Sequence, residues 1–348
     1  MFNPYIGICK FVMAILVVAI HVEPFQGDVA FYYNNCLSRI ADPMFFTLSA
    51  YFLFDKLLSS NWDSSIFKKQ IKRLFQYYGV WLIVYAPVIC SRTYARADGW
   101  LDFTLQILKQ IFLSGPYGAL WFLPALILGL TLTYWIGKRC TPHFGMLLSF
   151  PFFLLTVLEM EYFVLVKDIA WLNALNNFFV GIFGWLGNGI NFAWFFCAMG
   201  LYLASKKNEP PRRLAYNIRD LCNYLAILVV ECTLIRRYNL GISYGVMLSL
   251  IPVTFYLMQV LLQLPHTTNK DNTPSHRIGK YLQDMSLLIF PLHFGIMEGM
   301  KYLLQNQSWY TSSTILPYMV VLLLTCGISA ILLKLGQRYA FFRIFYGR

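Results

Sequence analysis

Long apolar runs separated by short polar stretches fill the whole chain, and this pattern predicts helices that cross a membrane. A transmembrane helix needs about 20 consecutive, mostly apolar residues. Two shorter runs, 103–113 and 171–186, are predicted to lie at the membrane interface or to re-enter the membrane. The runs predicted to span are 6–23, 37–57, 74–92, 119–137, 145–165, 188–205, 215–235, 243–263, 281–303 and 314–335. The sequence therefore predicts an all-α, polytopic membrane protein with about ten transmembrane helices.

The charged residues predict how these helices are oriented. The chain has 28 Lys and Arg against 16 Asp and Glu, a net charge of +12. Ten spans place both termini on one side of the membrane. If that side is the cytoplasm, most Lys and Arg fall in cytoplasmic segments, as the positive-inside rule requires, and only Arg236–Arg237 runs against it. We therefore expect both termini in the cytoplasm, and we attribute the basic charge to topology, not to a nucleic-acid partner.

Composition supports the membrane class. Hydrophobic residues make up 58% of the chain and charged residues 13%, whereas soluble domains average about 45–50% and about 25%. The eight Cys are scattered and show neither a disulfide framework nor zinc spacing, so no metal is expected. The longest polar linkers, 206–213 and 265–280, are predicted cytoplasmic loops. We expect a single transmembrane domain over 1–348, without a soluble domain.

The first predicted helix has a basic residue and an imidazole within an apolar run, in CKFVMAILVVAIHVEP (9–24). Lys10 and His21 are eleven residues apart, which places them on one helix face with about 16 Å between them. With the N-terminus inside, Lys10 lies at the cytoplasmic mouth and His21 lies deep. A long donor such as acyl-CoA fits this arrangement, and a neutral imidazole can accept a hydroxyl proton.

Both residues also have simpler interpretations. Lys10 is explained equally by a flanking position at the cytoplasmic end of a helix, where its charge extends to the interface. His21 is explained by an interfacial position with a backbone carbonyl as its partner. Ionisable residues inside a membrane are functional candidates because burial there is costly, but this helix alone leaves the alternatives open.

Six sequence blocks, in order along the chain, resemble the membrane-bound acyltransferase-3 family. The Lys10–His21 spacing resembles the basic-x10-His signature of that family's first helix, where the basic residue is usually Arg. Each block is weak alone, but six in one order are specific. The other five are RIADPMFFTLSAYFLF (39–54), FKKQIKRL (67–74), ALWFLPALILG (119–129), FAWFFCAMGLYLA (192–204) and SLLIFPLH (286–293).

The resemblance implies an integral membrane O-acyltransferase. Such enzymes move an acyl group, usually acetyl, from cytoplasmic acyl-CoA to a hydroxyl of a surface polysaccharide, a lipid-linked precursor or a related envelope molecule. By resemblance, His21 is the central catalytic residue, Lys10 replaces the family Arg, and Lys72 and Arg73 match a basic pair at the CoA entrance. Positive-inside topology also accounts for that pair. The implied location is the inner (plasma) membrane of a bacterium, with the lipid bilayer and a carbohydrate or lipid-linked acceptor as partners.

Four more residues are candidates for substrate binding: Arg39, Ser49, Trp121 and His293. Arg39 and Ser49 come from the second block, where Arg39 is also predicted to pair with Asp42 on the next turn. Trp121 is equally explained by packing in an aromatic belt. His293, in the ninth predicted span, is equally explained by a hydrogen bond inside the helix bundle.

The chain departs from the family pattern at three places. Lys10 cannot make the bidentate contacts of an Arg. Ala50 stands where the second block usually has Gly. Its methyl group is expected to fill the space through which another backbone could closely approach this helix. The block FAWFFCAMGLYLA (192–204) is often preceded by Arg in the family, but here the preceding sequence is GNGINF, with Gly187 and Asn188.

Two other functions compete with acyl transfer. The membrane part of the vancomycin-resistance serine racemases resembles the same family, and the phrases LWFLPALILG and GNGINFAWFFCAMGL resemble that branch in particular. If the chain functions like that branch, it is a transporter of a small polar substrate such as serine. A scaffold for an envelope-synthesis complex is the third alternative, but a scaffold has no need of a deep His.

Overall fold

The computed structural model describes residues 3–267, 273–311 and 313–347. Regular structure in these residues is helical throughout, without a β-strand, as the apolar pattern predicted. The α-helices, numbered in chain order, are α1 (Pro4–Val22), α2 (Gly27–Tyr32), α3 (Ala41–Ser59), α4 (Ser64–Tyr94), α5 (Trp100–Lys109), α6 (Phe122–Gly137), α7 (Pro142–Met160), α8 (Phe163–Val166), α9 (Ala170–Phe183), α10 (Trp194–Ser205), α11 (Leu214–Arg237), α12 (Leu250–Gln263), α13 (Pro274–Leu304), α14 (Ser308–Thr311) and α15 (Ile315–Arg338).

Each of the ten predicted spans contains helix, and the chain is a multi-pass membrane protein. The agreement is poorest in the predicted span 243–263, where residues 243–249 are not helical and the helix covers only Leu250–Gln263. In the described residues, six helical segments are long and apolar enough to cross a membrane, namely Pro4–Val22, Ser64–Tyr94, Gly118–Gly137, Pro142–Met160, Pro274–Leu304 and Ile315–Arg338. Gly189–Ser205 and Leu250–Gln263 are shorter apolar helices. The number of ten crossings and the cytoplasmic termini stay predictions.

Two helices begin well before their predicted spans because capping residues precede the apolar runs. Asp63 caps α4: its side chain accepts hydrogen bonds from Ser65 N (2.9 Å) and Ser65 Oγ (2.7 Å), and these bonds hold the pKa of Asp63 below its usual value. The helix therefore begins ten residues before the predicted span. Thr273 caps α13 through His276 N (3.3 Å), so residues 274–280 are helical and not part of a loop.

The two short runs predicted for the interface form short helices with exposed apolar side chains. In α5, Leu105 and Leu108 are exposed, and a π-helical turn, Gln110–Ser114, continues the helix. In α9, Trp171 and Phe178 are exposed. Lys109 Nζ donates a 2.7 Å hydrogen bond to Gly181 O and joins the two runs. Their location at the membrane interface stays a prediction.

The chain divides into two compact units, residues 1–45, 211–232 and 249–348 in unit 1 and residues 46–210 and 233–248 in unit 2. In unit 1, α1 packs along α13, and α13 packs on α15. In unit 2, α10 packs against α6 and α7, and the π-helical turn Gly189–Ala193 leads into α10. The organisation of the chain as one membrane domain without a soluble domain stays a prediction.

In unit 2 the structure resolves the question raised by Ala50. Ala50 is fully buried in α3. A Cβ atom built on Gly200 of α10 would lie 2.6 Å from both the Ala50 Cβ and the Thr47 carbonyl oxygen. The close approach of the two helices is therefore kept, because the glycine lies on α10 and leaves room for the methyl group on α3.

Candidate functional site

His21 and His293 meet in unit 1. Their ring centroids are 5.2 Å apart with an interplanar angle of 31°, and the Phe294 ring packs edge-on against His21 at 5.3 Å. His21 occupies the last turn of α1, and His293 is fully buried in α13. The structure thus joins two imidazoles that lie 272 residues apart in the sequence.

A close helix contact determines this pairing. Gly7 of α1 and Gly279 of α13 touch so closely that a Cβ atom on Gly7 would overlap the Gly279 carbonyl group, and a Cβ atom on Gly279 would lie 2.6 Å from Pro4 Cα. Fourteen residues separate Gly7 from His21 and also Gly279 from His293. Because residue numbers increase in the same direction from the glycine contact to the histidine contact on both helices, α1 and α13 run parallel. Fourteen residues correspond to about four helical turns.

The hydrogen bonds of His293 fix which of its nitrogens carries the proton. Its Nδ1 lies 3.1 Å from Ile289 O. A carbonyl oxygen only accepts, so Nδ1 is the donor, and in the neutral ring Nε2 then carries the lone pair. Nε2 is buried and has no hydrogen-bond partner among the residues that the structure describes. The arrangement provides a proton or hydrogen-bond acceptor beside His21.

Arg39 supplies positive charge to this part of unit 1. It lies in a 3₁₀ turn, Ser38–Ile40, that packs against α1. Its charge acts on His21 and on Asp42, its neighbour on the following turn. Arg39 thus lies near enough to both Asp42 and His21 to act on them electrostatically, and the predicted ion pair of Arg39 with Asp42 stays a prediction.

Lys10 lies on the same helix as His21, as expected. Because α1 is continuous from Pro4 to Val22, the predicted common face and the axial separation of about 16 Å hold. Lys10 is partly buried, next to the buried Cys9. Asn3 fixes the start of this helix: its side chain accepts from Tyr5 N at 3.0 Å and donates to Leu261 O at 2.7 Å.

Lys72 and Arg73 belong to unit 2, and both are exposed on α4. They lie in the third turn of that helix, so the helix start that the predicted span 74–92 places at this basic pair is wrong. The N-terminal amide groups of α4 are therefore not available beside them for an anion. Lys68 and Lys69 are also exposed, one turn earlier, so the helix presents a cluster of basic side chains suited to phosphate groups.

Ser49 and Trp121 also belong to unit 2. Ser49 is partly buried in α3. Trp121 ends a 3₁₀ turn, Gly118–Trp121. Its partly exposed ring packs edge-on against Trp185 at 4.8 Å and lies 6.3 Å from the tilted Phe46 ring. This ring packing fits the aromatic-packing interpretation, and a role in substrate binding stays a prediction.

Sequence reasoning missed the residues that determine how the histidines meet. A lone Gly7 or Gly279 in an apolar helix carries no signal that its partner is another glycine far along the chain. Phe294, which follows His293 directly, was not singled out either. In the described residues, no group of three or more His, Cys, Asp and Glu comes together in a way that would hold a metal ion.

Comparisons with known proteins place the chain in one family. The profile of a family described as an acyltransferase domain matches residues 3–334. A serine/alanine racemase of Enterococcus gallinarum is 26% identical over 97% of this chain and 47% of the racemase. An amino-acid racemase of Enterococcus faecalis is 25% identical over 73% of this chain and 35% of that protein. The chain thus spans less than half the length of these relatives, and no solved structure matches it.

Proposed function

Because the chain belongs to the acyltransferase-3 family and is a membrane acyltransferase, we propose that it moves an acyl group, acetyl in the simplest case, from cytoplasmic acyl-CoA to an acceptor hydroxyl. The acceptor class is a cell-surface polysaccharide, its lipid-linked precursor or a related envelope molecule. The proposed location is the plasma membrane of a bacterium, which the enterococcal relatives support.

His21 is the proposed general base. It takes the proton from the acceptor hydroxyl as that oxygen attacks the thioester carbonyl carbon. The carbon–sulfur bond then breaks, the acyl group remains on the acceptor oxygen, and the proton passes from the imidazolium to the departing CoA thiolate. One imidazole suffices for both proton transfers, because it first accepts the proton and then donates it.

His293 is the proposed binding residue for the acceptor. The observation that carries the proposal is the contact of the two imidazoles together with the buried Nε2 of His293 that has no partner in the described chain. That lone pair can receive a hydrogen bond from a hydroxyl or sugar group held next to His21. Positive charge from Arg39 would favour the negative charge that develops on the thioester oxygen in the transition state.

Donor binding is proposed for basic residues in each unit. Lys10 is on the face of α1 that carries His21, and its ammonium group suits a phosphate of the donor. Lys72 and Arg73, with exposed Lys68 and Lys69 around them, provide a second set of cationic groups. Acyl-CoA carries several phosphate oxygens, so salt should weaken its binding if these exposed side chains contribute.

The test of the reaction is His21→Ala in the purified full-length chain, in lipid nanodiscs. The measured quantity is the rate of transfer from radiolabelled acetyl-CoA to a cell-envelope extract, after subtraction of acetyl-CoA hydrolysis. We expect this rate to fall at least about 100-fold, the usual contribution of a proton-transfer group. His143→Asn is the matched control, because His143 is an exposed histidine on α7. Undiminished transfer by the His21→Ala enzyme at equal expression would contradict this mechanism.

The racemase matches favour a second candidate function, carriage of a small polar molecule such as serine. Two of the relatives are named for amino-acid or serine/alanine racemization, and this chain aligns with less than half of each. Uptake of labelled serine by proteoliposomes without CoA would support carriage. Acetyl transfer without such uptake would support the acyltransferase reaction.

A further inference from the structure

Unit 2 contains a buried carboxylate that the proposed reaction does not use. Glu159, next to the C-terminal end of α7, is only 2% exposed. Neither of its carboxylate oxygens has a hydrogen-bond partner within residues 3–267, 273–311 and 313–347. A carboxylate in such a place is costly unless a cation or a hydrogen-bond donor approaches it. Its position therefore calls for a partner from outside the described chain.

A donor group without a partner lies on the segment that faces α7. Asn191, in the π-helical turn Gly189–Ala193, is fully buried. Its Oδ1 accepts a 3.1 Å hydrogen bond from Asn188 Nδ2, whereas its Nδ2 has no acceptor in the described chain. Trp194, three residues later, is 5% exposed, and its Nε1 likewise has no acceptor there. Single π-helical turns are frequently found at functional sites.

Two contacts set the register of α7 against this segment. Thr156 Oγ1 donates to Asn191 O at 3.1 Å, and the Phe152 ring lies 5.3 Å from the Trp194 ring. From the first contact to the second, residue numbers decrease on α7 and increase on the segment 189–194, so α7 and this segment run antiparallel. Glu159 follows Thr156 by three residues and shares its helix face, about 4.5 Å further along the axis. Glu159 therefore lies about one helix turn beyond the level at which Thr156 contacts Asn191.

The residues in this place are those of the GNGINF sequence, where the family often has an Arg. Asn188 occupies the helix start and accepts hydrogen bonds from Ile190 N (2.9 Å) and Asn191 N (3.0 Å). A neutral amide thus caps the segment, and no Lys or Arg in the described chain forms an ion pair with Glu159. A cationic group of a ligand would therefore meet this carboxylate without competition from an ion pair in the described chain.

We propose that Glu159 and Asn191 bind a small molecule that carries a primary ammonium group and a hydrogen-bond acceptor, the class of amino alcohols and amino acids. The ammonium group pairs with the Glu159 carboxylate, and the acceptor oxygen receives the Nδ2–H of Asn191. Trp194 Nε1 supplies a further donor to a longer ligand. The apolar cluster of Leu155, Phe179 and Leu186 on the same side of unit 2 excludes water and strengthens these contacts.

The experiment measures ligand binding to the full-length chain in lipid nanodiscs, without acyl-CoA. Equilibrium dialysis with labelled glycine and labelled ethanolamine should show saturable binding, whereas glycolate, which has a hydroxyl group in place of the ammonium, should not bind. Glu159→Gln and Asn191→Ala should each weaken binding about ten-fold or more, the usual value of a hydrogen bond to a charged group. Glu209→Gln is the matched control, since Glu209 is an exposed glutamate of the same unit paired with Lys206.

The outcomes separate this site from its alternatives. Equal binding of glycine and glycolate by the unmodified chain would contradict ammonium recognition, whatever the folding of the variants. Absence of saturable binding by both ammonium probes, or unchanged binding by Glu159→Gln, would overturn the site. A melting temperature that depends on pH through Glu159 but not on any probe would show a bound proton in place of a ligand. Acyl transfer is measured in a separate assay, so its loss in His21→Ala leaves this test unaffected.

Discussion

The backbones of Gly7 and Gly279 touch, and this contact sets the register in which His21 reaches His293. A Cβ atom on Gly7 would overlap the Gly279 carbonyl group of the facing helix, and a Cβ atom on Gly279 would collide with Pro4. Helices separated by larger side chains would lie further apart and could slide. The catalytic pairing that we propose thus depends on two residues four turns away from it.

Gly279→Ala should therefore destabilise the protein and reduce transfer. Overpacking of a tight contact costs about 1–3 kcal/mol. Gly299→Ala is the matched control on the same helix, because nothing lies within 4 Å of a Cβ atom at that position; there alanine should be neutral or stabilising by up to about 1 kcal/mol. Thermal melting in detergent checks both, and an unchanged melting temperature for Gly279→Ala would contradict the close contact.

His293→Asn separates a structural role of His293 from a role in substrate binding. The asparagine amide can still donate to Ile289 O in place of Nδ1, but it offers no group at the position of Nε2. We expect a melting temperature close to that of the unmodified protein and a KM for the acceptor that rises about ten-fold, the usual value of one lost hydrogen bond to a charged or reacting group. Unchanged kinetics would leave His293 as a packing residue only.

Ala50 and Gly200 provide a second packing test, in unit 2. Ala50→Gly should cost about 0.5–1 kcal/mol through backbone entropy alone, since the close approach to Gly200 remains. Ala50→Leu should cost about 1–3 kcal/mol, because the larger side chain meets the α10 backbone. Comparison of the two melting temperatures checks this. Equal stability of the two variants would contradict the role of Gly200.

Lys10→Arg tests whether Lys10 binds the donor. A guanidinium group holds a phosphate through two hydrogen bonds, whereas an ammonium group acts as a point charge. We expect a several-fold lower KM for acetyl-CoA with Lys10→Arg and a higher KM with Lys10→Met, with kcat little changed in both, since Lys10 does not touch the reacting atoms. A steady-state titration of the donor checks both. An unchanged KM in both variants would indicate that Lys10 is a topological residue.

The double variant Lys72→Gln/Arg73→Gln tests the exposed basic cluster of α4. Because the side chains are exposed, their attraction to phosphate is screened by salt. The KM of the unmodified enzyme for acetyl-CoA should rise with ionic strength, and the double variant should have a higher KM and a weaker salt dependence. Lys301→Gln, which removes an exposed lysine at the end of α13, is the control. If the double variant and this control give the same salt dependence, the cluster has no part in donor binding.

From the sequence alone came the helical class, the positions of the predicted spans, and the common face of Lys10 and His21. These are local properties: apolar runs of membrane length and the 3.6-residue period of a helix. The early start of α4 was missed because a capping Asp63 and a polar first turn fall outside an apolar run, so Lys72 and Arg73 were wrongly placed at a helix start.

The tertiary structure decided what each helix meets. Only the folded chain shows that His293 faces His21, that Gly200 makes room for Ala50, and that Thr156, one turn before Glu159, contacts Asn191. Each relationship joins residues far apart in the sequence. Each relationship involves small side chains or polar atoms without a hydrogen-bond partner, and the role of these groups depends on the residues that pack against them. Periodicity tells which face a residue occupies, but packing determines the neighbour across that face.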